Sequence, residues 1–101
     1  MAADEYLVRD NPEELRYEIL REGELLGEIR YWTQPGVIGL VHTEVAPSAE
    51  GQGVGSRLVA GALEDIRARG LRLVPLCPFV LAYLRRHREE RDLIASNRAI
   101  S

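Results

Sequence analysis

The spacing of hydrophobic residues changes once along the chain, and this change limits the possible folds more than any other feature. From Leu15 to Ile19 apolar residues alternate with charged ones, which is typical of a half-buried strand. After Pro47 they recur every three or four positions, which is typical of one face of a helix. The members of this second pattern are Val54, Leu58, Val59, Ala62, Leu63 and Ile66. Both sheet and helix are therefore required.

Three strands are predicted before the change of spacing. The first begins at Leu15, the second passes through Gly27–Tyr31 and the third spans Val37–Val45. The segments Glu22-Gly23-Glu24 and Gln34-Pro35-Gly36 between them have the composition of tight turns. Strands joined by such short turns form an antiparallel meander.

A helix, a strand and a second helix are predicted after the change. The first helix starts at Val54 and stops at Gly70, a common residue just beyond a helix C-terminus. A short strand at Leu71–Leu76 and a helix at Pro78–Arg88 follow. The fold class is α+β: a meander followed by β-α-β-α around a central mixed sheet. Leu40–Val45 and Leu71–Leu76 are expected to be its parallel strands.

Length and composition bound the remaining possibilities. A chain of 101 residues predicts one domain, residues 1–101, and a net charge of -3 with a pI near 5.4 argues against nucleic-acid binding. Met1–Asn11 lacks a long apolar run, so neither a signal peptide nor a membrane span is expected. Tyr6–Val8 could pair at a sheet edge. The mixed pattern of Glu89–Ser101 predicts no element.

Cysteine usage indicates the compartment. Cys77 is the single cysteine, so it forms no internal disulfide, and no metal-ligand spacing surrounds it. This usage suits a reducing, cytoplasmic location. We expect no bound metal, no membrane contact, and a monomer or weak homodimer.

The segment AEGQGVGSRLV places Gly51, Gly53 and Gly55 at the start of the first predicted helix. Backbone N–H groups at a helix N-terminus attract anions, and glycine allows a ligand to approach closely. This arrangement suits a diphosphate. The segment lacks the Gly-Lys-Ser/Thr ending of a P-loop and the G-x-G-x-x-G spacing of a dinucleotide fold. The alternative is that the glycines only shape a tight turn.

Three stretches carry a resemblance to a known family. VHTEV, GQGVGSRLV and CPFVLAYLRRH resemble, in this order, the small single-domain proteins of the GNAT superfamily of N-acetyltransferases, including the YjdJ-type predicted acetyltransferases. The resemblance implies acetyl-CoA as cosubstrate and direct transfer to an amine acceptor, either a small molecule or a protein amine. The coenzyme-binding residues that it implies are Val45, Gln52, Gly53, Val54, Gly55, Ser56 and Arg57.

Two departures from the family pattern keep other functions open. Glu50 stands where the loop usually has Gln or Arg, and no helical pattern precedes Leu15 to build an acceptor pocket. The acceptor groove is then shallow or completed by a partner. One alternative is a coenzyme A-binding regulatory protein without transferase activity. Another is an interaction domain that binds no small ligand.

His42 and Glu44 are the candidate bases. They lie two residues apart on the third strand, so they are expected to share a face with Ile38 and Leu40. An imidazole exchanges protons near neutral pH, whereas Glu44 would act through water or in a buried setting. The alternative is a structural histidine and a glutamate paired with an arginine.

Tyr83 and Cys77 are the other catalytic candidates. Tyr83 lies one turn after Phe79 and resembles the family tyrosine that gives a proton to the leaving thiolate; otherwise it is a core aromatic. Cys77 precedes a helix N-terminus, where thiols can be reactive, and it could accept the acetyl group covalently. The simpler interpretation is a small buried side chain and direct transfer.

Overall fold

The computed structural model describes residues 5–95, which form a five-stranded sheet with two α-helices packed against it. The strands are β1 (Leu7–Asn11), β2 (Arg16–Arg21), β3 (Glu24–Gln34), β4 (Val37–Val45) and β5 (Arg72–Pro75). They follow chain order across the sheet; β1 to β4 pair antiparallel, and β5 pairs parallel to β4. The predicted α+β class with a mixed sheet is confirmed.

The helices begin and end close to their predicted positions. Helix α1 (Val54–Ala68) connects β4 to β5 and buries its apolar stripe, and helix α2 (Pro78–Arg86) follows β5. Gly53 and Gly70 bracket α1 with φ values of +75° and +70°. These left-handed conformations cost glycine little and other residues much more. Two short 3₁₀ helices cover Pro47–Ala49 and Arg88–Leu93.

One strand more is present than the hydrophobic pattern predicts. β1 pairs with β2 at the sheet edge over its whole length, which extends the edge pairing expected for Tyr6–Val8. Its sequence, LVRDN, contains only two apolar residues, so the pattern does not reveal it. Polar contacts hold it instead, including a hydrogen bond of 2.9 Å from Arg9 Nε to Glu18 Oε1.

A β-bulge interrupts the middle of β4. On β3, Tyr31 lies opposite Leu40 and Arg30 lies opposite His42, so Val41 has no partner on β3. An inserted residue of this kind reverses the faces toward which the following side chains point.

The bulge separates the candidate bases from the core. Ile38 and Leu40 are 1% and 0% exposed, whereas the side chains of His42 and Glu44 are 59% and 68% exposed. The prediction that these four residues share a face is wrong, because strict alternation holds only in a strand without an inserted residue.

The parallel pairing is also shorter than predicted. Val37–Leu40 pairs with Arg72–Pro75, and Val41–Val45 has no partner on β5. The expectation that these strands form the parallel β-α-β unit is confirmed, but within Leu40–Val45 only Leu40 pairs with β5, opposite Pro75. The chain leaves the sheet after Pro75, since Pro78 already begins α2.

The two faces of the sheet differ in chemistry. The apolar core contains the buried stripe of α1 and the buried side chains of α2. Elsewhere Glu18 is 2% exposed and accepts hydrogen bonds from Arg9, Asn11 and Arg16. Burial alone would raise its pKa, but the bonds from Asn11, Arg16 and Arg9 lower the pKa of Glu18 to about 2. Within residues 5–95, the helices are too short or too polar to cross a bilayer.

Candidate active site

An opening separates the far half of β4 from the start of α2. The backbone N–H of Leu76 donates to the carbonyl oxygen of Leu40 at 2.9 Å, and the strands then part. Across the opening, Thr43 Oγ1 lies 3.1 Å from Cys77 Sγ. Because the bulge places Thr43, rather than His42, on the same side of β4 as Leu40, the Thr43 side chain reaches Cys77 just before α2.

The glycine segment borders this opening. Gly51 and Gly53 have φ values of +83° and +75°, and a Cβ atom built on either would meet no heavy atom within 4 Å. At Gly55, by contrast, a Cβ atom would lie 2.5 Å from Cζ of Phe79. Gly51 and Gly53 therefore keep the approach to the helix open, and Gly55 allows Phe79 to pack closely on it.

The N-terminus of α1 presents unpaired donors. The first helical hydrogen bond runs from Arg57 N–H to the Gly53 carbonyl oxygen at 3.1 Å, and no side chain in the described part of the chain caps the helix. The N–H groups of Val54, Gly55 and Ser56 precede that bond. Together with the helix dipole, such donors favour an anionic group such as a diphosphate. The residues present therefore fit the diphosphate of coenzyme A.

Two neighbouring cavities share walls at the end of β4. The first, named here the glycine cavity, has a volume of about 380 Å³ and is lined by Thr43, Val45, Ala49, Glu50, Gly51, Gly53, Val54, Gly55, Ser56 and Phe79. The second, named the acidic cavity, has a volume of about 530 Å³ and is lined by Leu25, Leu26, Gly27, Glu28, Thr43, Glu44, Val45, Ala46, Pro47 and Glu50. Thr43, Val45 and Glu50 line both.

Most of the predicted coenzyme-binding residues come together. Those that line the glycine cavity are Val45, Gly53, Val54, Gly55 and Ser56. Gln52 instead donates a hydrogen bond of 3.1 Å from Nε2 to the Ser48 carbonyl oxygen, which braces the loop. The Arg57 guanidinium lies 4.8 Å from the centre of the Tyr6 ring and borders a different cavity. The structure therefore does not place Arg57 with the others.

His42 and Glu44 form an exposed pair. His42 Nε2 lies 3.2 Å from Glu44 Oε2, and on β3 the two residues face Arg30 and Glu28 respectively. Of the two, only Glu44 lines the acidic cavity. This position gives Glu44 access to a ligand in that cavity and gives His42 access to Glu44.

Cys77 and Thr43 are close together inside the opening. Cys77 is 3% exposed and lies directly before α2. Its only side-chain hydrogen-bond partner among residues 5–95 is the Thr43 hydroxyl group. Sequence reasoning did not single out Thr43, because only the bulge at Val41 reveals the direction of its side chain.

Tyr83 lies on the buried side of α2. It is 6% exposed, and its ring stacks on the His87 ring with centroids 3.9 Å apart and planes inclined by 12°. Burial, with smaller contributions from Glu90 and Glu89, raises the pKa of Tyr83. Its hydroxyl group makes no hydrogen bond within residues 5–95, and Tyr83 lines neither of the two cavities.

The fold, the opening beside β4 and the uncapped helix N-terminus define the GNAT type of acyltransferase. A family model described as GCN5-related N-acetyl-transferase matches residues 16–93. The chain belongs to this family of acyl-CoA N-acyltransferases, which use acetyl-CoA as the acyl donor. The predicted family, enzyme class and cosubstrate are confirmed; the YjdJ-type subgroup stays a prediction. No curated protein matches the chain significantly.

Solved structures show the same fold. A GCN5-like protein from Staphylococcus aureus has a TM-score of 0.65 and 26% identity over 89% of this chain and 88% of its own. A GNAT family acetyltransferase from Brucella melitensis, solved with acetyl-CoA, has a TM-score of 0.59 and 28% identity over 75% of this chain and 54% of its own. The ribosomal-protein-S18-alanine N-acetyltransferase of Escherichia coli has a TM-score of 0.55 and 18% identity over 63% of this chain and 42% of its own. The chain thus spans about half the length of the last two enzymes.

Proposed function

We propose that the protein transfers the acetyl group of acetyl-CoA directly to the nitrogen of an amine acceptor. The observation that carries this proposal is the uncapped N-terminus of α1 at the wall of the glycine cavity, next to the opening that contains Thr43 and Cys77. The N–H groups of residues 54–56 would hold the diphosphate. The Brucella melitensis structure with acetyl-CoA supports the choice of donor.

The chemistry requires two proton transfers around one acyl transfer. The amine nitrogen forms a bond to the thioester carbon, the carbon–sulfur bond breaks, and an amide and a thiolate result. The amine loses a proton, which Glu44 can accept because it lines the acidic cavity, with His42 as its neighbour at 3.2 Å. The thiolate gains a proton, and the phenol of Tyr83 is the candidate donor by its resemblance to the family tyrosine, not by its position, since it lines neither cavity.

Coenzyme A binding without transfer is the second candidate. Glu50 lines the glycine cavity, and a carboxylate beside a diphosphate weakens binding through like-charge repulsion. This residue is the observation that favours a protein in which coenzyme A regulates rather than reacts.

Two measurements test the proposal. Calorimetric titration with acetyl-CoA should show saturable binding, and release of free coenzyme A thiol should require an added amine. Binding without thiol release over a broad amine panel would favour the regulatory candidate. Absence of binding would contradict both.

Tyr83 and Cys77 separate direct from covalent transfer. Direct transfer predicts that Cys77→Ser keeps most activity, whereas Tyr83→Phe loses at least about tenfold in turnover because a proton donor is removed. A covalent route predicts that Cys77→Ser loses more activity than Tyr83→Phe, since a serine hydroxyl is a much weaker nucleophile than a thiolate.

Mass spectrometry gives an independent check of the same point. The sequence contains no lysine, so an acetyl adduct formed without acceptor cannot be a lysine side product. Peptide mapping that places an adduct on Cys77, lost on addition of an amine, would contradict direct transfer.

The candidate base is tested by His42→Ala and Glu44→Gln. Either substitution should lower turnover while the dissociation constant for acetyl-CoA stays within about twofold, because neither side chain lines the glycine cavity. Unchanged turnover in both variants would leave water or the acceptor itself as the base.

We also propose that this activity belongs to one domain, residues 1–101, acting in the cytoplasm as a monomer or weak homodimer. The family match over residues 16–93 supports the single domain. The free, buried thiol of Cys77 supports a reducing compartment.

A further inference from the structure

The acidic cavity adjoins the cavity in which the donor is proposed to bind. Thr43, Val45 and Glu50 belong to its wall and to the wall of the glycine cavity, so the two spaces meet along the end of β4. An acceptor nitrogen has to reach the thioester carbon of a donor held in the glycine cavity. A volume of about 530 Å³ admits a small amine with its substituents.

Charge in this cavity has one sign. Glu28, Glu44 and Glu50 line it, and among residues 5–95 no arginine or histidine does. Glu28 is neutralised from outside the cavity, since Arg16 Nη1 lies 2.7 Å from its Oε1 and Arg30 Nε lies 3.0 Å from its Oε2.

The other two carboxylates have no such compensation. Glu44 pairs only with His42, at 3.2 Å, and Glu50 makes no ion pair within residues 5–95. Because both line the cavity, an occupant with positive charge gains attraction from two carboxylates, and an occupant with a carboxylate of its own is repelled.

The cavity also offers an apolar wall. Leu25 is 41% exposed and lies beside Leu26 and Pro47 along the same space. A short chain of methylene groups can pack here while charged groups at its ends reach the glutamates.

We infer that the acceptor is a small amine that carries a second positive charge a few carbon atoms from the reacting nitrogen. This inference rests on the proposed acetyl transfer and adds the substrate class. The second ammonium group is held by Glu50, and the reacting amine gives its proton to Glu44 before it attacks the thioester carbon.

Three amines with the same five-carbon chain test the inference. 1,5-Diaminopentane, 1-aminopentane and 5-aminopentanoate carry a positive, a neutral and a negative group at the far end. At saturating acetyl-CoA, kcat/KM should fall in that order, by about tenfold from first to last, because each surface charge contact contributes about a factor of 2–5. Added salt should reduce the differences in kcat/KM among the three amines, because it screens the charge contacts.

Glu50→Gln and Glu64→Gln form a matched pair of variants. Each removes one carboxylate, but Glu64 is exposed on α1 and lines neither cavity. Glu50→Gln should reduce the ratio of kcat/KM for the diamine to that for 1-aminopentane by about threefold. Glu64→Gln should leave the ratio unchanged.

The possible outcomes separate this inference from the proposed function. Equal kcat/KM for the three amines, preference for the carboxylate, or equal ratios in the two variants would overturn the inference while acetyl transfer stands. Absence of thiol release with every amine would contradict the transfer itself. Calorimetric binding of the same three amines to the coenzyme A complex would then decide the inference, with the diamine expected to bind most tightly and equal affinities overturning it.

Discussion

The two ends of α1 are built in opposite ways. At its N-terminus no side chain caps the helix, and Gly51 and Gly53 leave the approach open. At its C-terminus, Asp65, Arg67 and Arg69 connect the helix to other elements. The N-terminal end leaves backbone N–H groups without a capping side chain, whereas the C-terminal end forms side-chain hydrogen bonds to other elements.

The contacts at the C-terminal end reach far along the chain. The Tyr17 hydroxyl group donates to Asp65 at 2.7 Å, and Arg69 donates to Asp10 at 2.6 Å. Arg67 donates to Asp92 at 2.8 Å, which holds the second 3₁₀ helix. These bonds attach α1 to β1, β2 and the residues after α2.

The difference teaches how this small fold separates stability from binding. The C-terminal end fixes the position of α1, so its N-terminus can remain uncapped without losing its place beside β4. Loss of side-chain contacts at the C-terminal end should therefore lower the free energy of unfolding without changing affinity for acetyl-CoA, and changes at the N-terminal end should change that affinity.

Among the polar contacts of the C-terminal end, Asp65→Ala should have the largest effect on stability. It removes the acceptor of the Tyr17 hydroxyl group, which is attached to a side chain that is 1% exposed, and a partner of Arg69 at 3.0 Å. The free energy of unfolding should fall by about 2 kcal/mol. Urea unfolding measures it, and acetyl-CoA affinity should not change. A large loss of affinity would contradict the claim that the C-terminal end of α1 contributes to stability and not to acetyl-CoA binding.

Alkaline pH should lower the free energy of unfolding through the tyrosines near the C-terminal end of α1. Burial and the hydrogen bond to Asp65 raise the pKa of Tyr17 above its ordinary value of 10.0, and burial with Asp10 does the same for Tyr31. The folded protein keeps these phenols protonated while the unfolded chain ionises them. Stability is therefore complete below pH 10 and falls as the pH rises above it.

Comparison with Tyr17→Phe isolates one of these phenols. Between pH 8 and 10.5 the wild type should lose about 1 kcal/mol more than the variant, since the variant has one ionisable phenol fewer. Urea unfolding at both pH values is the measurement. Equal losses of unfolding free energy in the two proteins would show that Tyr17 does not contribute to the pH dependence of stability.

The smallest expected effect on stability lies at the N-terminal end. In Gly55→Ala the new Cβ atom displaces the end of the Phe79 ring, which is 40% exposed and free to move. The better helix propensity of alanine offsets this cost, so the free energy of unfolding should change by less than about 1 kcal/mol. Affinity for acetyl-CoA should fall because Phe79 lines the glycine cavity. A loss of stability comparable to that of Asp65→Ala would contradict the comparison.

Sequence reasoning found both ends of α1, at Val54 and before Gly70, but not the long-range contacts of its C-terminal end. The change of hydrophobic spacing and the glycines are local signals, and they predicted the start of α1 at Val54 correctly. The partners of Asp65 and Arg69 are 48 and 59 residues away along the chain, and no local pattern reveals such pairs.

The bulge at Val41 explains why the remaining site residues were only partly predicted. Val37–Val45 was identified as a strand, but its spacing of side chains does not show where a residue is inserted. The bulge turns Thr43 toward Cys77 and moves His42 and Glu44 away from the core, so the identities of the candidates were found and their surroundings were not.

Paired glycine substitutions at the two ends of α1 test the central claim most directly. Gly53→Val and Gly70→Val both place a branched side chain at a positive φ, +75° and +70°, with no heavy atom within 4 Å of the new Cβ. Their backbone strain should therefore be similar, about 1–3 kcal/mol. Calorimetry with acetyl-CoA should show about a hundredfold weaker binding for Gly53→Val, equivalent to about 2.7 kcal/mol, and unchanged binding for Gly70→Val. Equal affinities in the two folded variants would contradict a donor site at the open end of the helix.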